Sequence, residues 1–160
     1  MIERERQIAL MAEAIAEARR GAAEGEVPVG AVVVGRRANG EDHAIVAAAH
    51  NRPIALNDPT AHAEMLALRE AAAAFGTYRL EGAAMFVTLE PCVMCVGAMV
   101  HARIAGLYFG ARDEKAGALG SVYDIGRDGR LNHRIEVYGG LLEPECAALL
   151  RDFFRSRRRT

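Results

Sequence analysis

AAMFVTLEPCVMCVGAMVHARIAGLYF, residues 83–109, sets a helical segment between two apolar runs, and the rest of the chain is best read outward from it. Residues Ala83–Leu89 alternate as a strand, Cys92–Ala102 predicts a helix, and Ile104–Phe109 predicts a second strand. Upstream, Ile2–Ala23 reads as a helix, with Ile8, Met11, Ile15 and Ala18 at three- and four-residue steps and Gly21 and Gly25 at its end. Val29–Val34 is a β-branched run, hence a buried strand. Arg36–Asp42 carries Asn39 and Gly40, a hairpin signal, and His43–Ala49 is the returning strand. Asn51–Pro59 reads as a loop. Thr60–Ala74 reads as a helix entered through a capping Asp58 and a first-turn Pro59. Downstream, Ala111–His133 is a long Gly-rich connection, Arg134–Tyr138 a strand, and Glu143–Arg158 a final helix with Leu149, Leu150, Phe153 and Phe154 on its apolar side. Strands alternating with helices argue for an α/β layer fold around one sheet. The connection before the last strand is long enough for a crossover, which favours a parallel final pair.

A length of 160 residues fits one domain, spanning 1–160, and allows a core without disulfide staples. With 51% hydrophobic residues the composition is globular rather than disordered. The net charge of -1 gives no global field toward nucleic acid. The basic residues are nonetheless almost all arginine, Lys115 being the only lysine, and they crowd the end as Arg151, Arg155, Arg157, Arg158 and Arg159. Such a tail is either a solvated helix end, where cations suit the dipole, or a phosphate-binding rim. The first segment is charged and amphipathic, unlike a signal peptide, and no apolar run reaches the ~18 residues of a membrane span. A cytoplasmic protein is expected, where a close cysteine pair points to metal rather than to a disulfide.

That pair is Cys92 and Cys95, three apart at a helix start, so both sulfurs share one face of the first turn. A helix N-terminus also favours thiolate, the metal-binding form. His62 begins another predicted helix, and the two N-termini can converge on one ion. Two thiolates and an imidazole suit Zn²⁺. Three protein ligands leave one position for water, as in catalytic sites, whereas structural sites use four. Cys146, on a Leu-rich helix, reads as core, and the other histidines leave a fourth ligand open. Glu64 lies two residues beyond His62, about 200 degrees round a regular helix, so it does not ligate the same ion there. Near a helix start its carboxylate can still reach beside the metal and move a proton. The alternative is an ordinary first-turn acid.

The combined pattern, His62-x-Glu64 followed by Pro91, Cys92 and Cys95, is similar to the signature of zinc nucleobase deaminases. The resemblance to bacterial tRNA-specific adenosine deaminases runs over nearly the whole chain. It is carried by EVPVGAV (26–32), NRPI (51–54), DPTAHAE (58–64), TLEPCVMC (88–95), FGARDEKAGALGS (109–121), NHRIEV (132–137) and ECAALLRDFFR (145–155). It implies a three-layer α/β/α, cytidine-deaminase-like fold with a five-stranded mixed sheet. It also implies one zinc per subunit on His62, Cys92 and Cys95, with Glu64 as proton shuttle. Asn51 would hydrogen-bond the purine, the Ala63 backbone would border it, and Asp113 would lie near the preceding nucleotide. Arg155 and its neighbours would approach the anticodon stem-loop. The implied reaction turns adenosine into inosine at the tRNA wobble position, arginine tRNA being the expected substrate, in a homodimer. One departure is the hairpin, 35–50, which looks longer than usual and ends on His50 where an aromatic such as Trp is common.

Several residues have plainer readings. His101 ends a helix, His43 sits on the hairpin, His133 is structural or an RNA contact, and the alanines after Leu68 are helix filler. Asp113 and Lys115 divide between loop solvation and substrate contact. Two rivals remain: a free-nucleobase or nucleoside deaminase for guanine, cytosine or cytidine, and a non-catalytic zinc module that binds RNA.

Overall fold

Alternate residues of the first strand face opposite ways, and both ways are apolar. In β1 (Gly30–Gly35), Ala31 and Val33 join one core cluster while Val32 and Val34 join another. A strand buried on both faces must have a helical layer on each. The computed structural model, which describes residues 1–158, supplies both layers. On one face lie α3 (Ala63–Phe75) and α4 (Val93–Ala102), packed on Met85, Val87, Leu107 and Phe109. On the other lie α1 (Arg4–Ala23) and α5 (Glu143–Arg158), packed on Phe86 and Tyr108. The result is the expected three-layer α/β/α arrangement.

The sheet has the order β2-β1-β3-β4-β5, with β2 at Ala44–His50, β3 at Ala84–Leu89, β4 at Gly106–Ala111 and β5 at Glu136–Gly139. β1 pairs antiparallel with β2 and β3, whereas β3–β4 and β4–β5 are parallel. The sheet is therefore mixed, and its final pair is parallel, as the long connection favoured. That connection is not featureless: a 3-10 turn at Ile125–Arg127 closes it beneath α4.

Gly30 marks the tightest approach between layers. A Cβ there would lie 1.9 Å from the Ala14 carbonyl oxygen, so only glycine lets α1 settle on β1. At the other edge His50 lies against Gly21, with Nδ1 2.9 Å from Glu17 and Nε2 3.0 Å from Glu24. Where relatives are expected to place an aromatic, this chain ties β2 to α1 by polar contacts.

The structure corrects several boundaries. Residues 51–59 contain a helical turn, α2 (Pro53–Leu56), instead of loop alone. Pro53 presets its first φ, and the buried Glu26 carboxylate accepts its Ile54 and Ala55 amides. The helix expected from Thr60 begins at Ala63, because Asp58 turns its carboxylate onto Thr60 N and Oγ1 instead of capping α3. β4 starts two residues later than expected, since the Ile104 amide still binds the Met99 carbonyl at the end of α4. In α1, Ile8 is 39% exposed and the buried face runs through Leu10, Met11, Ala14, Ile15 and Ala18. In α5, Phe154 is 45% exposed, and only Cys146 is fully buried. The alanines of α3 are more than filler, for Ala67 and Ala71 sit in the core. Among the described residues, no helix is long and apolar enough to cross a membrane.

Candidate active site

Two helix starts meet at the carboxyl end of β3. The N-cap of α3 is His62 and the N-cap of α4 is Cys92, and neither side chain caps its own helix. Both turn instead toward each other. His62 Nδ1 lies 3.6 Å from Cys92 Sγ and 3.6 Å from Cys95 Sγ, and the sulfurs are 3.8 Å apart. A tetrahedral zinc with ordinary bond lengths needs sulfur–sulfur and sulfur–nitrogen separations of about 3.8 and about 3.6 Å. The donors therefore fit that ion, and the cluster could hold one.

The cluster has three members among the described residues. The other histidines are engaged or remote: His50 with Glu17 and Glu24, and His133 Nε2 with the Ile104 carbonyl at 2.7 Å, which fits the structural one of its two expected readings. His101 lies in the last turn of α4 and His43 beside the hairpin. Cys146 is buried in the opposite layer, its thiol pushed up to about 12, chiefly by burial. A set of three donors is the catalytic pattern and not the closed structural one.

Electrostatics favour metal uptake. The neighbouring Cys95 thiol, outweighing the opposing effect of burial, and the His62 imidazole hold the Cys92 thiol down to about 3. The second proton of the pair, on Cys95, is held by that same contact and by burial. A cation bound between the sulfurs releases it.

Glu64, in the first turn of α3, is 4% exposed, and its Oε1 has no hydrogen-bond partner. Burial pushes its carboxyl up. It stands beside Cys95 and His62 yet outside the ligand cluster. His62 was expected in the first turn of the helix but is its extended N-cap, so the expected helical offset between the two does not apply. A buried carboxyl oxygen without a partner is costly, and such groups cluster where chemistry is done.

A cavity of about 300 Å³ opens onto the cluster, near the lower limit of small-molecule sites. Asn51, Pro53, His62, Glu64, Glu90 and Asp113 are among its walls. Asn51 Oδ1 accepts the Ala63 amide at 2.8 Å, so it supplies the helix cap that His62 does not. Ala63 itself is buried and its amide is already engaged. Asp113 folds its carboxylate onto the Lys115 and Ala116 amides, and Lys115 is exposed. Arg155 is exposed on α5 and does not line the cavity. Its helix still reaches toward the rim, because Arg157 stacks over Phe153 and donates to the Gly25 carbonyl at 2.6 Å, two residues before Val27 of the cavity wall. Arg159 lies outside the described residues.

Two carboxylates at the site went unread in the sequence. Glu26 is 1% exposed and Glu90 is 2% exposed. Each sits in an apolar setting, Glu26 before Val27 and Glu90 between Leu89 and Pro91, which was the available signal. Burial pushes the Glu90 carboxyl up, but bonds from Ser121, Leu119 and Asp113 outweigh it and hold the group below the usual range.

With this geometry in view, comparison with known proteins is decisive. The pattern of the cytidine and deoxycytidylate deaminase zinc-binding region matches residues 4–111. The tRNA-specific adenosine deaminase of Bacillus subtilis is 48% identical over 149 residues, covering 93% of this chain and 89% of that one. This chain belongs to the family of tRNA-specific adenosine deaminases. The Haemophilus influenzae member is 45% identical over 149 residues, covering 93% of this chain and 83% of that one. A structure from work on A-to-I editing by tRNA:A34 deaminases superposes with a TM-score of 0.82 at 44% identity, over 89% of this chain and 99% of that one. A guanine deaminase from Nitrosomonas europaea gives 0.75 at 29% identity, over 91% of this chain and 83% of that one. The fold is thus shared across deaminases of different substrates, and the family membership rests on sequence as well as shape. Membership makes the chain a zinc-binding deaminase, an enzyme of the hydrolase class, and the His62, Cys92 and Cys95 cluster is where zinc fits.

Proposed function

We propose that this protein hydrolytically deaminates adenosine to inosine at the wobble position of tRNA, arginine tRNA in particular, as one domain spanning residues 1–160. The observation that carries the reading is the three-donor cluster at zinc spacing with the buried Glu64 carboxyl beside it, one oxygen of which has no partner, in a chain 48% identical to a tRNA-specific adenosine deaminase.

His62, Cys92 and Cys95 would hold zinc, which when bound supplies a Lewis acid that makes water a competent nucleophile near neutral pH. Deamination exchanges the exocyclic amine of the base for oxygen from water and releases ammonia. A proton must therefore travel from water to the departing nitrogen. Glu64 is the group placed to carry it, and its raised affinity for a proton suits both halves of the transfer. Asn51 fixes the start of α3, which presents His62 and Glu64, and stands in the cavity wall as the polar group for a purine. Asp113 borders the same cavity and is the residue for a flanking nucleotide.

A wobble base is already unpaired, so moving it into the cavity costs least there. The arginines of α5, of which Arg155 and Arg158 are exposed, would meet the phosphates of the anticodon stem-loop. With it we infer a homodimer acting in the cytoplasm.

The test is to incubate the zinc-loaded protein with an arginine tRNA anticodon stem-loop carrying adenosine at the wobble position. Free adenosine, guanine and cytidine are run in parallel, and products are read by mass spectrometry. Inosine from the stem-loop alone is expected. Deaminated guanine or cytidine without inosine would move the protein to a free-base or nucleoside class. No product from any substrate would leave a zinc module that only binds RNA.

A further inference from the structure

Two buried carboxylates flank the cavity and touch neither each other nor the ligand cluster. Glu26 lies on the turn leading into β1. Its Oε1 accepts the Ile54 amide at 3.2 Å and its Oε2 the Ala55 amide at 2.8 Å. Those amides open α2, whose Pro53 forms one wall. Glu90 ends β3 on the opposite side. Its Oε1 accepts the Asp113 amide at 3.2 Å and the Ser121 hydroxyl, and its Oε2 accepts the Leu119 amide at 3.0 Å and the Ser121 amide at 3.1 Å. The loop 113–121 is thereby wrapped round one carboxylate, and Asp113 and Ala116 form the facing wall. Gly117 lies so near that a Cβ would fall 2.3 Å from Glu90 Oε2. That loop contains no helix or strand; its other ties include the bond from Gly117 N–H to the Asp113 carbonyl, the Ala118 amide to the Pro91 carbonyl, the Asp113 carboxylate on the Lys115 and Ala116 amides, and an isolated bridge between Leu119 and Asp124.

Resting on the deaminase reading above, we infer that Glu26 and Glu90 are positioning residues for the reaction, which set the width of the substrate cavity by clamping its two walls. Burying a full charge is justified only when hydrogen bonds satisfy it. Glu26 places its bonds on the two amides that follow the wall residue Pro53, and Glu90 places its bonds on the wall residue Asp113 and on Leu119 and Ser121 farther along the same loop. Neither one belongs to the three-donor cluster. Their effect is exerted on where Pro53, Asp113 and Ala116 stand when the nucleotide enters, and displacements near 1 Å at such sites can cost about 100-fold.

Glutamine is the discriminating substitution, being of the same size. Both oxygens of Glu90 receive donors. The side-chain amide introduced by Glu90→Gln therefore sets an NH2 group against two of them in either orientation, a donor where an acceptor stood. Glu26→Gln does the same toward Ile54 or Ala55. The zinc-loaded full chain and both variants are compared by metal content, amide hydrogen exchange and steady-state kinetics on the anticodon stem-loop, below the unfolding temperature of each. We expect one zinc per chain throughout. Exchange rises at 113–121 in Glu90→Gln and at 54–55 in Glu26→Gln. KM for the stem-loop rises about 10- to 100-fold, with a smaller change in kcat.

A merely structural role lowers the unfolding temperature but leaves KM of the folded fraction unchanged, and that result overturns the inference. Loss of zinc from either variant overturns it too, because the residue would then serve the metal. Should Glu90→Gln not fold, Ser121→Ala removes a single donor from the clamp, and an unchanged KM there is equally fatal. Absence of inosine from the wild-type chain overturns the proposed function together with this inference. Inosine from the wild type with unchanged KM in the variants overturns this inference alone.

Discussion

Replacing Glu64 with glutamine should cost the protein its turnover and make the metal-free chain more stable. The carboxyl is 4% exposed, Oε1 has no partner, and burial pushes its proton affinity up. Leaving a buried polar group unsatisfied costs about 1–3 kcal/mol, more when it is charged. Glu64→Gln keeps the shape and removes the charge. Because the folded-state pKa lies above the unfolded value of about 4.3, ionisation is penalised in the folded chain alone. That penalty is absent near pH 4, grows as pH rises toward the folded value, and then levels off. In a chain of this length each kcal/mol moves Tm by about 2–4 °C. Metal-free Glu64→Gln should therefore melt with the wild type near pH 4 and above it at pH 7, by about 2–4 °C for each kcal/mol of ionisation penalty removed. In the zinc-loaded form one ion per chain should remain, and inosine formation should fall by about 10²–10⁴, the usual worth of a positioned acid–base group. Thermal melts across pH 4–8, metal analysis and a stem-loop turnover assay measure all three. A variant less stable than wild type at pH 7, or one retaining more than about a tenth of wild-type turnover, would refute the assignment of Glu64 as a strained proton carrier.

Two further outcomes follow from the same geometry. Neutralising Arg155 and Arg158, both exposed on α5, should weaken stem-loop binding and flatten its salt dependence, by up to about 0.9 in slope for each duplex phosphate no longer neutralised; an unchanged slope in a salt titration would make the tail a plain helix end. With its thiol held near 3, Cys92 should alkylate in the metal-free chain at a rate almost flat from pH 6 to 8, while buried Cys146, near 12, reacts only on unfolding. Peptide mapping after iodoacetamide reads this, zinc should protect Cys92, and a rate rising tenfold per pH unit would contradict the stabilised thiolate.

Much of the site was legible because its chemistry is local. Cys92 and Cys95 lie three apart at a helix start, a spacing that brings the N-cap and first-turn side chains together, although Cys92 is the extended N-cap and not, as expected, part of the helix. The exclusion of Glu64 from the ligand set was also expected, though from a helical offset that does not apply, since His62 is the extended N-cap of α3. The boundaries of α3 were less legible, since Asp58, a good capping residue, spends its carboxylate on Thr60 and leaves the cap to Asn51 from another loop. Sequence propensity ranks capping residues but does not say which of two loops arrives first.

The sequence by itself determined the donors, their spacing and the two-faced strands, because these depend on the 3.6- and 2-residue periods of the chain. Only the tertiary structure decided which helix starts converge, since His62 and the two cysteines are about 30 residues apart and meet through the order of strands in the sheet. It alone gave Glu26 and Glu90 their partners, whose amides come 23 to 31 residues later in the chain. The physical reason is that a backbone amide carries no label in the sequence. Which acceptor it finds depends on the path of the loops across the end of the sheet.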